Sequence, residues 1–251
     1  MKKLAIAVSV LSISAASAFA ADLPARTYTK APLMMAVYDW SGFYIGANGG
    51  YGWSRKCWDL NSVAGVTVPV TAEGCHDATG GVAGGQIGYR WQTSAWVFGF
   101  EAQGDWANLR GSSLSNPAAF GAAVTNRSKI DAFGLFAGQV GYAWNNSLLY
   151  VKSGVAVTSD KYRGVDTATG ALLDSARETR IGYAAGVGLE YGFAPNWSAA
   201  VEYNRFFMDT NAVNLTTPAG ANSRVDNVRQ DVDLVTARVN YRWGGPAVAK
   251  Y

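Results

Sequence analysis

Ile181-Gly182-Tyr183-Ala184-Ala185-Gly186-Val187-Gly188-Leu189-Glu190-Tyr191-Gly192-Phe193, followed by Ala194-Pro195-Asn196 and then Trp197-Ser198-Ala199-Ala200-Val201-Glu202-Tyr203-Asn204-Arg205, decides the fold. In the first arm Ile181, Tyr183, Ala185, Val187, Leu189, Tyr191 and Phe193 are apolar at every second position, and small residues and Glu190 fill the alternate set. The second arm sets Trp197, Ala199, Val201 and Tyr203 against Ser198, Ala200, Glu202 and Asn204. A period of two is the period of a strand, and two such runs about a Pro-Asn break make a hairpin. Tyr191, Phe193 and Trp197 crowd the turn while aliphatics occupy the middle of the arms. Rings at strand ends mark the edge of a bilayer's hydrocarbon region, so the hairpin is read as crossing a membrane.

The same alternation recurs outward along the chain. Phe43, Ile45, Ala47, Tyr51 and Trp53 form one apolar set; Ala83, Ile87, Tyr89 and Trp91 the next; then Trp96, Phe98, Phe100, Ala102 and Trp106. Ala132, Phe136, Val140 and Tyr142 follow, then Leu149, Val151, Val155 and Val157, and after the opening hairpin Val235, Ala237, Val239, Tyr241 and Trp243. That makes eight strands. Gly88-Tyr89-Arg90-Trp91, Gly141-Tyr142-Ala143-Trp144, Glu190-Tyr191-Gly192-Phe193 and Asn240-Tyr241-Arg242-Trp243 each end an even-numbered strand, as a hairpin repeat should. Connections alternate: long and polar at Arg55 to Gly80, Leu109 to Lys129, Asp160 to Thr179 and Asp209 to Arg229, short at Ser94, Asn145 and Pro195. Long outer loops and short periplasmic turns give that rhythm. The expected fold is all-β, a transmembrane eight-stranded antiparallel up-and-down β-barrel over residues 40–243. Trp40, Trp53, Trp91, Trp96, Trp106, Trp144, Trp197 and Trp243 are predicted at strand ends as interface aromatics, with Trp58 the exception.

The start of the chain gives its address. Lys2 and Lys3 precede an apolar run from Leu4 to Ala16, and Ala18-Phe19-Ala20 supplies small residues for cleavage, so residues 1–20 read as a signal peptide. Residues 21–39 read as a periplasmic lead-in without structure, and 244–251 as a C-terminal tail. Removing Lys2 and Lys3 takes the formal charge from +3 to +1, which leaves no basic stretch pointing to nucleic acid. Cys57 and Cys75 share one polar segment of a secreted chain, where oxidation is the default, and a disulfide there is expected to clamp the first loop. Its contribution would be about 3 kcal/mol.

Eight strands enclose an interior that their own side chains just fill, which argues against a wide diffusion pore. The alternate set carries Glu101, Asp105, Lys152, Glu190, Glu202, Arg238 and Arg242, with Arg90 near the periplasmic mouth. Charges sealed from water must pair, so Glu101, Lys152, Glu190, Glu202, Arg238 and Arg242 are predicted to form an ion-pair network across the lumen, with inward glycines making room for Phe133, Tyr150 and Phe206. Glu101, Glu190 and Glu202 could serve as acid and base, but lumenal pairing accounts for them without chemistry. The lone imidazole, His76 between Cys75 and Asp77, has no serine partner set by motif and is expected to be a solvated loop residue. No catalytic, cofactor or metal residues are assigned.

Asp39-Trp40-Ser41-Gly42-Phe43-Tyr44-Ile45-Gly46, Ala21-Asp22-Leu23-Pro24, Ile130-Asp131-Ala132-Phe133-Gly134 and Trp197-Ser198-Ala199-Ala200-Val201-Glu202-Tyr203 resemble the small outer-membrane immunogenic, porin-like proteins of rhizobia and related alpha-proteobacteria. The resemblance runs from the signal peptide to the last strand. It implies an abundant surface protein of the cell outer membrane tied to envelope integrity, host contact or antigenicity, with haem binding proposed for some relatives; no haem ligand motif carries over here. Such chains end on the aromatic of the last strand, whereas Gly244 to Tyr251 follow Trp243 in this one, so either Trp243 or Tyr251 presents the insertion signal. The leading expectation is a structural and surface-interaction barrel without enzymatic activity. Its expected partners are outer-membrane lipid, lipopolysaccharide, the barrel-assembly machinery during insertion and unidentified extracellular molecules at the loops. A haem or small-ligand uptake barrel and a small-conductance pore are the alternatives, and a soluble lipocalin-like barrel would stay in the aqueous fraction on detergent extraction.

Overall fold

The computed structural model describes residues 38–120 and 123–243. The signal peptide, most of the lead-in and the tail from Gly244 lie outside the described residues. Eight strands, β1 (Gly42–Val63), β2 (Val66–Thr93), β3 (Trp96–Leu114), β4 (Val124–Trp144), β5 (Ser147–Asp166), β6 (Leu172–Ala194), β7 (Trp197–Thr216) and β8 (Asn222–Trp243), close into one barrel in sequence order. Every neighbouring pair is antiparallel, and β1 closes the ring on β8 from Phe43 opposite Trp243 to Val63 opposite Arg224. A four-residue helix, α1 (Pro117–Phe120), interrupts the connection from β3 to β4. In the part that crosses the bilayer, closure leaves no sheet edge unpaired, which is what lets strands sit in lipid. Farther out, β2 is paired with β3 only as far as Thr79, and the pairing of β6 with β7 is interrupted between Ser175 and Gly182.

The apolar alternate sets face outward. Ile181, Tyr183, Val187, Leu189 and Val201 are exposed on the outer wall while Ala184, Glu190, Ala200 and Glu202 are buried inside. On β1 the outward apolar run extends from Phe43 to Trp53. Ten residues at about 3.3 Å each and a tilt near 45° cover roughly 24 Å, the height of a bilayer's apolar band. Trp91, Trp96, Trp144, Trp197 and Trp243 ring this band at the end of the two-residue turns, and all are exposed. Trp96 packs edge-on against Tyr142, and Trp243 against Tyr241.

Three expectations need correction. The long polar connections are mostly strand: β1 continues to Val63 and β2 restarts at Val66 after a two-residue turn at Ala64 and Gly65, both with positive φ. Strands of 19 to 28 residues are about twice what a crossing needs, so the ladder runs on past the bilayer as a projecting wall. Trp53 and Trp106 therefore lie in mid-strand at the upper edge of the apolar band rather than at strand ends, although both face outward. Trp40 is no interface residue at all. It is buried inside the mouth at the short-turn end with Tyr38, Val97, Ala143, Leu148 and Tyr150, because the chain entering β1 tucks into the lumen.

Candidate functional site

The lumen is filled in layers. Nearest the short turns, the Tyr38 and Trp40 rings sit 4.5 Å apart, and Gly192 leaves the space that Tyr38 occupies. Arg242, expected in the ion-pair network, is instead held here. Its guanidinium donates to the Ser41 carbonyl at 2.8 Å and the Pro195 carbonyl at 3.1 Å, and it stacks over Tyr38. Above it, Arg90 pairs with Glu190 at 2.9 Å, and Ser198 and Asn240 donate to the same carboxylate.

The next layer contains two cations and two carboxylates. Arg238 reaches Glu101 with one nitrogen and Glu202 with the other. Lys152 bridges the same two carboxylates, 3.0 Å from Glu101 and 2.5 Å from Glu202. The arrangement has an internal two-fold character traceable to register. Tyr44 on β1 lies opposite Gly88 on β2, which lies opposite Glu101 on β3; Tyr150 on β5, Gly188 on β6 and Glu202 on β7 repeat the row. Each tyrosine passes over its glycine and donates its hydroxyl to the glutamate beyond at 2.7 Å. All four ionic groups are sealed from solvent, and their signs cancel within the layer. Equal numbers of opposite charges in close contact, with the tyrosine hydroxyls adding hydrogen bonds, are what makes such burial tolerable.

A largely apolar layer follows, with Asp105 opposite Phe133 and Ser54 opposite Val232 at its margins. Phe133 and Phe206 meet edge-on at 5.6 Å, packed with Leu109, Ile130, Leu135, Met208, Val232 and Leu234. An apolar stratum inside the barrel was not legible from sequence, where only single large residues were placed inward. Together with the ionic layer it closes the lumen.

Beyond the bilayer the interior becomes polar again. Lys56 meets Asp160 at 2.5 Å, and Trp58 and Tyr162 pack edge-on above a cluster with Val213, Leu215 and Val228. Arg180 spans β6, β7 and β8 by donating to the carbonyls of Asp209 and Val228. Nearest the rim, Arg224 is surrounded by Glu73 at 2.8 Å, Asp174 at 3.1 Å and Asp226 at 3.4 Å. Burial, with Glu73 and Asp174 beside it, pushes the Asp226 carboxyl up to about 8 against the pull of Arg224. His76 is not the solvated residue expected. It is buried between Ser113 at 3.1 Å and Ser128 at 2.6 Å, and burial next to Lys56 holds its imidazole down to about 4. These groups escaped sequence reading because the segments holding them looked like loops.

Cys57 and Cys75 are bonded directly across β1 and β2, with Cα atoms 4.1 Å apart, on the projecting wall. The bond ties two paired strands rather than clamping a free loop. Among the described residues no group of three His, Cys, Asp or Glu side chains is placed to hold a metal ion. A haem iron would have to draw His76 away from both serines. Glu101, Glu190 and Glu202 are each paired with a cation, whereas the buried Asp105 carboxylate accepts from Gln103 at 2.7 Å.

Residues 5–242 match the family described as outer membrane protein beta-barrel domain. The chain belongs to that family. This outer membrane barrel is 29% identical to the 31 kDa outer-membrane immunogenic protein of Brucella melitensis over 96% of its own length and 100% of that protein's. It is 28% identical to the 25 kDa outer-membrane immunogenic protein of Brucella ovis, over 81% of its own length and 88% of the relative's. In fold it is similar to the outer membrane protein OprG of Pseudomonas aeruginosa, with a TM-score of 0.55 at 13% identity, covering 83% of this chain and 99% of that one. The barrel resides in the cell outer membrane, with lipid around its wall.

Proposed function

We propose that this outer membrane barrel is a non-enzymatic, sealed structural protein that supports the envelope and presents a projecting β-wall for contact with the cell's surroundings. The observation that carries it is the stacking of a neutralised ionic layer, Glu101, Lys152, Glu202 and Arg238, directly under the apolar layer around Phe133 and Phe206. A transported solute would have to break several buried charge pairs, each costing several kcal/mol to separate. What remains free to act is the outside: the apolar band that holds the bilayer, and the wall above it. The Brucella relatives are named as immunogenic, and an exposed projection of this kind is a surface of the sort that such a property needs. Insertion by the barrel-assembly machinery belongs to the same reading.

Planar bilayers test the seal and a deletion strain tests the role. Folded protein should give no stepwise currents, and haemin titration no saturable spectral shift. Cells lacking the protein should become sensitive to detergent and recover with the intact gene. Regular conductance steps would overturn the sealed reading, and unchanged detergent resistance would overturn the structural one.

A further inference from the structure

Strand register places like charges directly opposite one another on one side of the projecting wall. Arg110 on β3 faces Lys129 on β4, Lys129 faces Lys161 on β5, and Lys161 faces Arg177 on β6. Two residues nearer the rim, Arg127 faces Arg163. All belong to the outward set, since their neighbours Asn126, Ser128 and Tyr162 are buried in the lumen. Like charges directly opposite one another destabilise a sheet, so a row of them calls for an anion. Asp131, 2.5 Å from both Lys129 and Lys161, is the carboxylate that meets the row. Arg110 donates to Asn108 instead, and Glu178 shares its face of β6 with the buried Arg180.

The opposite side of the barrel is built differently. There Arg55 lies between Asp77 and Asp231, and Arg205 lies 3.6 Å from Asp231 and 3.4 Å from Asp233. Charge is compensated on that side and accumulated on this one. Five of the six cations, all but Arg177, line a surface groove of about 500 Å3.

Height identifies the anion. On β3, β5 and β6 the nearest outward apolar residues, Trp106, Val157 and Ile181, lie four positions below Arg110, Lys161 and Arg177. Four residues along a strand tilted near 45° rise about 9 Å, to the outer boundary of a headgroup layer that is about 5–7 Å thick. Long basic side chains reach back toward that layer while their stems cover the wall. We propose that the β3 to β6 wall binds the phosphorylated headgroup of a lipid in the outer leaflet, its phosphates replacing the missing carboxylates between Arg110, Arg127, Lys129, Lys161 and Arg163. This rests on the reading that the projecting end faces outward, and adds a specific lipid contact to the structural role.

Native mass spectrometry of the full folded protein, released from phosphatidylcholine vesicles containing diphosphorylated lipid A, tests it. Wild type should retain lipid A at least about tenfold better than the same lipid stripped of phosphate, and high salt should reduce the difference. The triple variant Lys129→Gln, Lys161→Gln, Arg163→Gln should lose that preference, and Arg55→Gln on the compensated side should keep it. Should the triple variant not fold, Arg127→Gln with Arg163→Gln carries the same comparison. Equal retention of both lipids by wild type, an unchanged preference in the variants, or an affinity for free inorganic phosphate that matches that for the lipid would overturn the proposal. None of these results bears on conductance, so the sealed lumen stands or falls separately.

Discussion

Tyr150 lies across Gly188 on the neighbouring strand: a Cβ at Gly188 would stand 2.3 Å from Tyr150 Cζ and 2.4 Å from its hydroxyl oxygen. Tyr44 covers Gly88 in the same way, at 2.5 Å. Both glycines are thus required by a ring, and the ring in turn reaches a glutamate. Gly188→Ala should cost about 1–3 kcal/mol by overpacking, read as a lowered urea midpoint of the folded barrel in micelles. Gly138→Ala, whose Cβ would meet the Phe100 ring at an ordinary 3.8 Å, is the control and should leave the midpoint in place.

Arg238 touches Glu101 and Glu202 through separate nitrogens. Arg238→Met leaves two buried carboxylates sharing Lys152, a change expected to cost about 3–5 kcal/mol. Arg238→Met combined with Glu202→Gln alone leaves Lys152 paired with Glu101 in a neutral layer and should recover much of that loss. Unfolding in urea, followed by the heat-dependent gel shift typical of small barrels, separates the two outcomes.

The wall beyond the bilayer should give stability a pH dependence with opposing parts. His76 is held down to about 4 from an ordinary 6.5, so the unfolded chain binds its proton first as pH falls. Its contribution is complete above about pH 6.5 and is lost progressively down to about pH 4. His76→Gln should flatten stability over that window when subtracted from wild type.

Asp226 works the other way. Its carboxyl is raised to about 8 from 3.8, so the folded chain holds the proton longer, and its contribution is complete below about pH 4 and lost as pH rises to about 8. Asp226→Asn should therefore stabilise the barrel relative to wild type by an amount that grows between pH 4 and 8 and then levels. A difference that shrank with rising pH would contradict the assignment.

Reduction of the bond between Cys57 and Cys75 should lower stability by up to about 3 kcal/mol, given the 18-residue separation. The loss should appear as faster hydrogen exchange in the outer parts of β1 and β2, with the amides between Phe43 and Tyr51 unaffected.

The membrane-crossing half of the fold was legible because lipid outside and polar groups inside impose a strict alternation, as at Val187, Leu189 and Val201 against Glu190 and Glu202. Beyond the band that contrast vanishes. Arg55, Asp77 and Arg163 meet water on the outer face while Lys56 meets Asp160 and Arg224 meets Glu73 within, so strand and loop look alike in composition. His76 was misplaced for that reason, and its serine partners come from strands that looked like loop. Trp40 was misplaced because nothing local distinguishes a ring that folds into the mouth from one that rims it. The pairing of Glu101 with Glu202 across Arg238 needed the ring closure of β1 on β8, which fixes where Arg238 stands.

The continuation of all eight strands past the bilayer alters what an immune system would meet. Most of the outer surface is a ladder whose epitopes are assembled from residues far apart in sequence, such as Asp59, Ala72 and Asn227 on three separate strands. Antibodies raised against the native barrel would then fail on denatured chain or short peptides, and sequence drift would be confined mainly to the hairpin tips.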